Sequence, residues 1–302
     1  MEFQNFDDLF KWNKDLMEED WNDGQHLTLK VKNKGPGCEF ATSIKMAEAG
    51  ADGSHKVSAE EKIKMKMSEW GGNEVECKVK NNGSVTYEWE NNSLQTIDGF
   101  KDAQLVMKGD IKNGGFSTPN MGLEYDCDKL KSKWFFSAEK EPRYDTEWSY
   151  RLCDSWIVGG HEKGTVMNPL KNIDLQLGVA GTLKDTGVRF GARHSSNFDM
   201  FAFSQNVWDF YFNHRAGANT VGAHINYNQD SKAFTSTLGL RMDHDDHSWR
   251  FRFQNDGLLR AALQWQMHRV AKTTLNTRVN VKDIAAGKVG ALPLNLSVEL
   301  KY

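Results

Sequence analysis

The sequence predicts an all-β fold: one long antiparallel meander closed into a transmembrane β-barrel, preceded by a single amphipathic helix. Three observations predict it. After Gly24 the side-chain period changes from 3.6 to 2 and stays there to the C-terminus. About 20 alternating windows of roughly 8–12 residues follow one another, with connections usually under about six residues. The apolar runs are only a few residues long, such as Ile157-Val158, far below the roughly 18–20 residues of a membrane-spanning helix. That excludes a helical membrane protein and leaves a barrel open, because a barrel hides its polar face in the lumen.

The helix comes first. Phe3, Phe6, Leu9, Phe10, Asn13, Leu16, Met17 and Trp21 nearly keep the spacing of one helical face, with Asn13 its one polar member. Asp7, Asp8, Lys11, Lys14, Asp15 and Glu18 take the opposite face. The helix is expected over roughly residues 4 to 20, with Gly24 as its stop. Residues 1–23 hold eight acids and two bases, net −6, so the remainder carries net +3 of the total −3. An acidic helix attached to a mildly basic body can be attracted to it. The bland alternative is an ordinary surface helix packed on a core. The division is residues 1–24 for helix and hinge, and 25–302 for the barrel.

The strands follow from alternation. Leu27, Leu29 and Val31 alternate with Thr28, Lys30 and Lys32; Phe40, Thr42 and Ile44 with Ala41, Ser43 and Lys45. Ile63, Met65 and Met67 alternate with Lys62, Lys64 and Lys66; Val75, Cys77 and Val79 with Glu76, Lys78 and Lys80. Val85, Tyr87 and Trp89 alternate with Thr86, Glu88 and Glu90. Late in the chain, Trp249, Phe251 and Phe253 alternate with Arg250, Arg252 and Gln254, and Leu294, Leu296, Val298 and Leu300 with Asn295, Ser297 and Glu299. Asn81-Asn82-Gly83-Ser84, Lys184-Asp185-Thr186-Gly187 and Asn255-Asp256-Gly257 are hairpin turns. Ser155 to Lys171 is the most loop-like interruption. No domain boundary is visible.

The same alternation suits soluble sandwich domains, but about 20 strands would need two or three of them, with linkers that are not evident. One closed barrel needs only hairpins and leaves no edges. At this strand number side chains cannot fill the lumen, so water does, and the apolar face turns outward to lipid. Trp70, Trp89, Trp208 and Trp249 then suit interfacial girdles near strand ends.

Other classes are disfavoured. The near-balanced charge, with 38 basic and 41 acidic residues, argues against nucleic acid as a partner. Cys38, Cys77, Cys127 and Cys153 form no CxxC pair and are expected as reduced thiols. The opening lacks a basic n-region, and Asp7 and Asp8 interrupt any apolar stretch, so an intracellular chain made without a cleaved leader is expected. Asp243-His244-Asp245-Asp246-His247 resembles a metal site on paper but sits between two alternating windows, as a polar turn does. No nucleotide-binding, hydrolase or metalloprotease motif is present, so no enzyme activity, metal or cofactor is expected.

These residues resemble the mitochondrial porin family, the voltage-dependent anion channels. Phe6-Asp7-Asp8-Leu9-Phe10-Lys11 resembles the family's opening Tyr-x-Asp-Leu-Gly-Lys. Leu27 to Lys32, Gly37 to Ser43, Ser68-Glu69-Trp70-Gly71, the run Thr235 to His268 with Arg252-Phe253-Gln254-Asn255, and Lys272 through Leu300 follow in the family's order and spacing. The resemblance implies a 19-stranded barrel, one fewer than the windows counted, so an inserted loop or fused strand is expected between Trp148 and Lys171. It implies that Leu27–Val31 pairs in parallel with Leu294–Leu300, and that the helix lies in the lumen. It implies a voltage-dependent diffusion channel of the mitochondrial outer membrane, passing ATP, ADP, phosphate and other small metabolites and ions, in contact with membrane lipids, as a homo-oligomer or within a larger complex.

By the same resemblance, Lys11 and Lys14 hold basic helix positions that attract phosphates, and Gly99-Phe100-Lys101 is similar to a Gly-Leu-Lys element associated with nucleotide contact. Lys30, Lys32, Lys62, Lys64, Lys66, Lys78 and Lys80 would line one wall of the lumen. Departures stand beside these matches. Glu19 occupies a third basic helix position, Asn22-Asp23-Gly24 shortens the hinge, Cys77 replaces a lipid-facing Glu, and Asn295 replaces a Gly of the insertion signal. Glu61 shares a register with Ile63 and Met65 and becomes the lipid-facing candidate; the alternative is a strand end or register break. Competing functions are a protein-translocating pore of the outer membrane, a non-conducting barrel that anchors a complex, and a soluble β-rich binding protein. The translocase family carries a longer extension before its lumen helix, whereas this chain opens at the helix.

Overall fold

The computed structural model describes residues 4–17, 25–47, 56–67, 73–97, 101–112, 115–117, 119–137, 139–200, 202–267, 270–288 and 293–301. The N-terminal segment is a 3-10 turn, Phe6–Asp8, followed by helix α1, Lys11–Met17. Strands β1 (Gln25–Gly35), β2 (Cys38–Ala47), β3 (Val57–Met67), β4 (Asn73–Lys80), β5 (Val85–Asn91) and β6 (Ala103–Lys112) come next. They are followed by β7 (Gly115–Phe116), β8 (Asn120–Asp126), β9 (Leu130–Ser137), β10 (Arg143–Cys153), β11 (Trp156–Thr165), β12 (Ile173–Leu183) and β13 (Val188–Asp199). The chain continues through β14 (Ala202–Ala216), β15 (Asn219–Asn228), β16 (Ala233–Asp243), β17 (His247–Gln254), β18 (Leu258–Met267) and β19 (Ala271–Asn280). A short helix α2 (Val281–Ala285) precedes β20 (Leu294–Lys301).

Each strand pairs antiparallel with its sequence neighbours, except that β8 pairs with β6 and not with β7, and β20 returns to pair in parallel with β1, Leu27 opposite Leu296 and Val31 opposite Leu300. The sheet is closed. The two-residue β7 and the longer β8 both pair with β6, so they share one stave of the barrel, and the closed ring has 19 staves. The extra window of the sequence count lies there and not between Trp148 and Lys171. β10 and β11 are two regular strands joined by the tight turn Asp154–Ser155. The loop-like stretch read over Ser155–Lys171 shrinks to the connection 166–172 between β11 and β12, because Gly159 and Gly160 serve close packing within a strand: a Cβ at Gly160 would meet the Trp148 ring, and one at Gly159 the Phe6 ring. The hairpin turns read from the sequence hold, with Gly83 and Gly257 at positive φ where an L side chain is strained.

Two faces are distinct. Phe40, Leu105, Trp134, Phe136, Leu177, Phe210, Phe212 and Leu238 are exposed on the outer face. Lys62, Glu76, Glu88, Lys108, Asp145, His161, Asp209 and Arg252 belong to the inner face. A monomeric soluble protein rarely shows so continuous an apolar belt. Trp208 and Trp249 belong to that belt, but Trp208 lies near the middle of the fifteen-residue β14 and not at a strand end. β14 is lengthened by a bulge opposite Ser195 and Asn197, with Gln205 at a φ of 55°, which adds residues to the strand ahead of Trp208. Trp70 lies outside the described residues. Aromatics also cover glycines across strands, Tyr87 over Gly109 and Phe190 over Gly181, restoring contact where the backbone is bare. No helix among the described residues is long and apolar enough to cross a membrane, which bears on helices only.

Candidate functional site

The N-terminal segment lies in the lumen against one wall, and its predicted apolar face is the one that docks. Phe6, Leu9, Phe10, Leu16 and Met17 are buried. The 3-10 turn packs on β10 and β11, and α1 on β14, β15 and β16. Glycines make the close approach possible: a Cβ at Gly191 would stand 2.6 Å from the Phe10 ring, and one at Gly222 2.5 Å from Leu16. Phe10 stacks on Tyr211 at 4.5 Å between ring centroids. Asn13 is the polar member of the face for a reason the periodicity does not carry. Its buried Nδ2 donates to the carbonyls of Phe212 (3.0 Å) and Ala223 (3.2 Å), on paired residues of β14 and β15. The helix is broken at Leu9–Phe10, so the continuous helix expected over residues 4 to 20 is two short pieces, and residues 18–20 lie outside the described residues.

Polar contacts fix both ends of the segment. Ser149 Oγ donates to the carbonyl of Gln4 at 2.7 Å, and the backbone N–H of Asp7 donates to Glu147 Oε1 at 2.8 Å. His161 stands between Asp7 (3.2 Å) and Asp145 (2.7 Å). At the other end Arg252 Nη1 donates to the carbonyl of Met17 at 2.7 Å, where a cation meets the negative end of the helix dipole. Asp7 with His161 is an acid–base contact of the expected kind, whereas the other three engage backbone groups of the segment.

The His161 side chain beside it holds the Asp7 carboxyl below its usual value, against the opposing effect of burial. A carboxyl depressed in the docked state stabilises docking above its ordinary pKa of about 3.9, and that contribution is lost as pH falls through the lower docked value. We expect a dye at Lys11→Cys, in a background without the native cysteines, to keep constant anisotropy from neutral pH to about 4 and to loosen below it. The Asp7→Asn variant should lack that step. An identical titration in the variant rejects the role of Asp7.

The lysines singled out in the sequence do share a face. Lys30, Lys32, Lys62, Lys64, Lys66, Lys78 and Lys80 occupy the inner positions of β1, β3 and β4. They do not form a bare positive wall. Lys62 pairs with Glu76 at 2.7 Å, Lys78 with the same carboxylate at 3.0 Å, and Lys64 and Lys66 with Glu74. Lys32 pairs with Glu299 at 2.9 Å across the parallel seam, and Lys108 with Glu88 at 2.8 Å. Lys11 and Lys14 ride on α1 across the lumen from this wall, Lys11 exposed and Lys14 half-buried. Lys101 sits ahead of β6 in a recess shared with Asn5, Asp102 and Glu124. Gly99 and Phe100 lie outside the described residues. A larger recess of ≈ 830 Å³ beside the 3-10 turn is lined by both signs of charge, among them Lys133, Asp145 and Lys163.

Glu61 points outward in the middle of β3, opposite Thr42 and Val79 in unbroken register, so it is neither at a strand end nor at a break. Cys77 is outward beside it, opposite Ile63 and Tyr87. Glu162 on β11 is a second outward carboxylate, and it accepts a hydrogen bond from Tyr144 Oη at 2.6 Å. All four cysteines are free thiols. Asp243 to His247 is a turn between β16 and β17, where His247 Nδ1 lies 2.6 Å from Asp246 and stacks against His244.

Two inner clusters escaped sequence reasoning. Asp209 on β14 is buried and receives hydrogen bonds from Arg193 Nη2 (2.8 Å), His224 Nε2 (2.8 Å) and Asn226 Nδ2 (2.8 Å). Arg252, Arg260 and Arg278 stand directly opposite one another on β17, β18 and β19, with Arg250 opposite Arg241 one row away. The turns could have revealed this row. Arg252 and Arg260 are equidistant from Asp256, and Arg260 and Arg278 from Arg269, so hairpin pairing alone brings them together.

No protein-family model matches the chain, and no curated protein matches it. Solved structures do. A triple mutant of the Rhodopseudomonas blastica porin superposes with a TM-score of 0.51 at 10% sequence identity, over 86% of this chain and 94% of that one. A quintuple mutant of the same porin gives the same values, and another triple mutant a TM-score of 0.50 at 10% identity, over 78% of this chain and 90% of that one. At such identity the likeness is one of fold: a porin-like β-barrel.

Proposed function

We propose that this chain is a passive, voltage-dependent diffusion channel of the mitochondrial outer membrane for ATP, ADP, phosphate and other small anions, and not an enzyme. The observation that carries the reading is the closure: 19 staves sealed by the parallel pair β1–β20. Bacterial single-chain outer-membrane barrels have even strand numbers, whereas the mitochondrial anion channel has 19. The fold likeness to porins, the outward apolar belt and the charged inner wall support a water-filled path through the membrane. The segment docked along β10–β17 narrows that path from one side and leaves the opposite wall of paired lysines and glutamates facing it. Both signs of charge on that wall suit a pore that passes hydrated ions without holding them.

Purified barrel in a planar bilayer should give large conductance steps that close at high voltage of either sign, and proteoliposomes should release ATP. A correctly folded barrel that is electrically silent and retains ATP rejects the channel and favours a structural anchor. Release from membranes into the supernatant by carbonate rejects every barrel reading.

A further inference from the structure

We propose that two copies of this chain pair through the outer face of β11 to β13, with Glu162 of each copy against His194 of the other; this rests on the outer face meeting lipid, as in the reading above, and not on conduction. The outer face is apolar with few exceptions. Among the described strand residues, its acids, bases and histidines are Glu61, Glu162, His194, His214 and His247. His214 and His247 lie near strand ends. Glu61, Glu162 and His194 lie further in, where an ionisable group facing hydrocarbon is costly and marks a place for a partner. Glu61 has no outward base on its side of the ring, among the described residues of β1 to β6. Glu162 accepts from Tyr144 Oη through one oxygen, and its other oxygen has no partner among the described residues. His194 lies against the Trp208 ring at 4.4 Å between centroids and makes no hydrogen bond or ion pair among the described residues.

The two groups stand at one height. Strands of a closed barrel are staggered, so a hydrogen-bonded row is not level. The row Trp156, Gly181, Phe190, Phe212, Ala223, Leu238 starts at the first residue of β11 and meets β16, five strands on, five residues before its last, Asp243. The mouth therefore steps by one residue per strand against the row. From Glu162 the row passes Leu175 to Ser196 on β13. Two strands of stagger move the level position two residues toward the same mouth, from Ser196 to His194. About 12 Å separates the pair, with Leu175 and Leu177 of β12 between them and Leu177 46% exposed. Within one chain they do not meet, because Tyr144 on β10 holds one and Trp208 on β14 the other. The patch is self-complementary. A two-fold axis along the membrane normal, passing over β12, brings each carboxylate to the other copy's imidazole, so one contact is made twice. An imidazole donates to a carboxylate whether neutral or charged, and the low dielectric of hydrocarbon strengthens that bond.

The test is association of donor- and acceptor-labelled full-length barrel in liposomes, read as energy transfer against protein-to-lipid ratio. The wild type should dimerise. E162Q and H194Q should each weaken association by about tenfold or more, and E61Q should leave it unchanged. The swap E162H/H194E keeps the pair with its roles exchanged and should restore association, which a merely structural defect would not allow. In a background without the native cysteines, L177C beside the axis should cross-link between copies with a short bis-maleimide. Circular dichroism and melting establish that each variant is folded; if the swap does not fold, E162Q, H194Q and the L177C cross-link decide. A wild type that stays monomeric at every ratio, with lipid alone covering this face, overturns the proposal. So does undiminished association of E162Q and H194Q, an equal loss in E61Q, or a folded swap that restores nothing. Energy transfer needs no conduction, so a silent barrel that pairs through these residues overturns only the channel, and a conducting barrel that stays single overturns only the pairing.

Discussion

Replacing Asp209 by alanine is expected to destabilise the barrel by about 3–5 kcal/mol, the range for removing one partner of a buried charge pair. Asp209 is 3% exposed on the inner wall. Its carboxylate accepts from three side chains on the two strands beside β14, Arg193 on β13 and His224 and Asn226 on β15. Without it, the Arg193 guanidinium remains half-buried with its main acceptor gone, and His224 loses the contact that holds it in stack on Tyr211 at 4.8 Å. Asp209→Asn keeps one acceptor oxygen and should fall between the variant and the wild type. Thermal or denaturant unfolding in detergent measures both. A loss under about 1 kcal/mol for the alanine variant, which is the size of an exposed pair, shows that lumen water replaces the network.

The second large effect concerns docking and not the barrel. Phe10→Ala removes a ring that stacks on Tyr211, meets Phe6 edge-on at 6.5 Å, and fills the space above Gly178 and Gly191. Large-to-alanine changes at such buried aromatic positions cost about 3–5 kcal/mol. Here that loss falls on the equilibrium between docked and released segment, a shift of roughly two to three and a half powers of ten. Hydrogen exchange of the Leu9–Met17 amides should accelerate accordingly, while the barrel strands keep their protection and melting temperature. Unchanged exchange in this segment rejects the ring as its anchor.

Much of the architecture was legible because alternation is a local property. Each strand writes its two faces into its own residues, and the parallel pairing of Leu27–Val31 with Leu294–Leu300 followed once the ring was taken as odd. The docking face of the N-terminal segment was legible for the same reason, down to the inclusion of Asn13. What Asn13 does was not, because a bond to strand carbonyls two hundred residues away leaves no periodic trace. The lysine wall was correctly placed and incompletely understood. That Lys62 meets Glu76 depends on a one-step diagonal between strands, which alternation does not specify. The glycines at 159 and 160 misled in the other direction. They looked like a loop because a missing side chain reads as a turn, whereas here they make room for Phe6 and Trp148.

The seam between the first and last strands has a consequence for biogenesis. The residues that complete the hoop, Leu294–Lys301, are synthesised after every other strand of the ring. Until they arrive, β1 and β19 each present an open rail of backbone amides and carbonyls that hydrocarbon cannot satisfy. The chain therefore cannot be threaded into a bilayer piecemeal as it leaves the ribosome. It must be kept from self-association through its whole translation and then shut in one late event, zipping its two ends side by side.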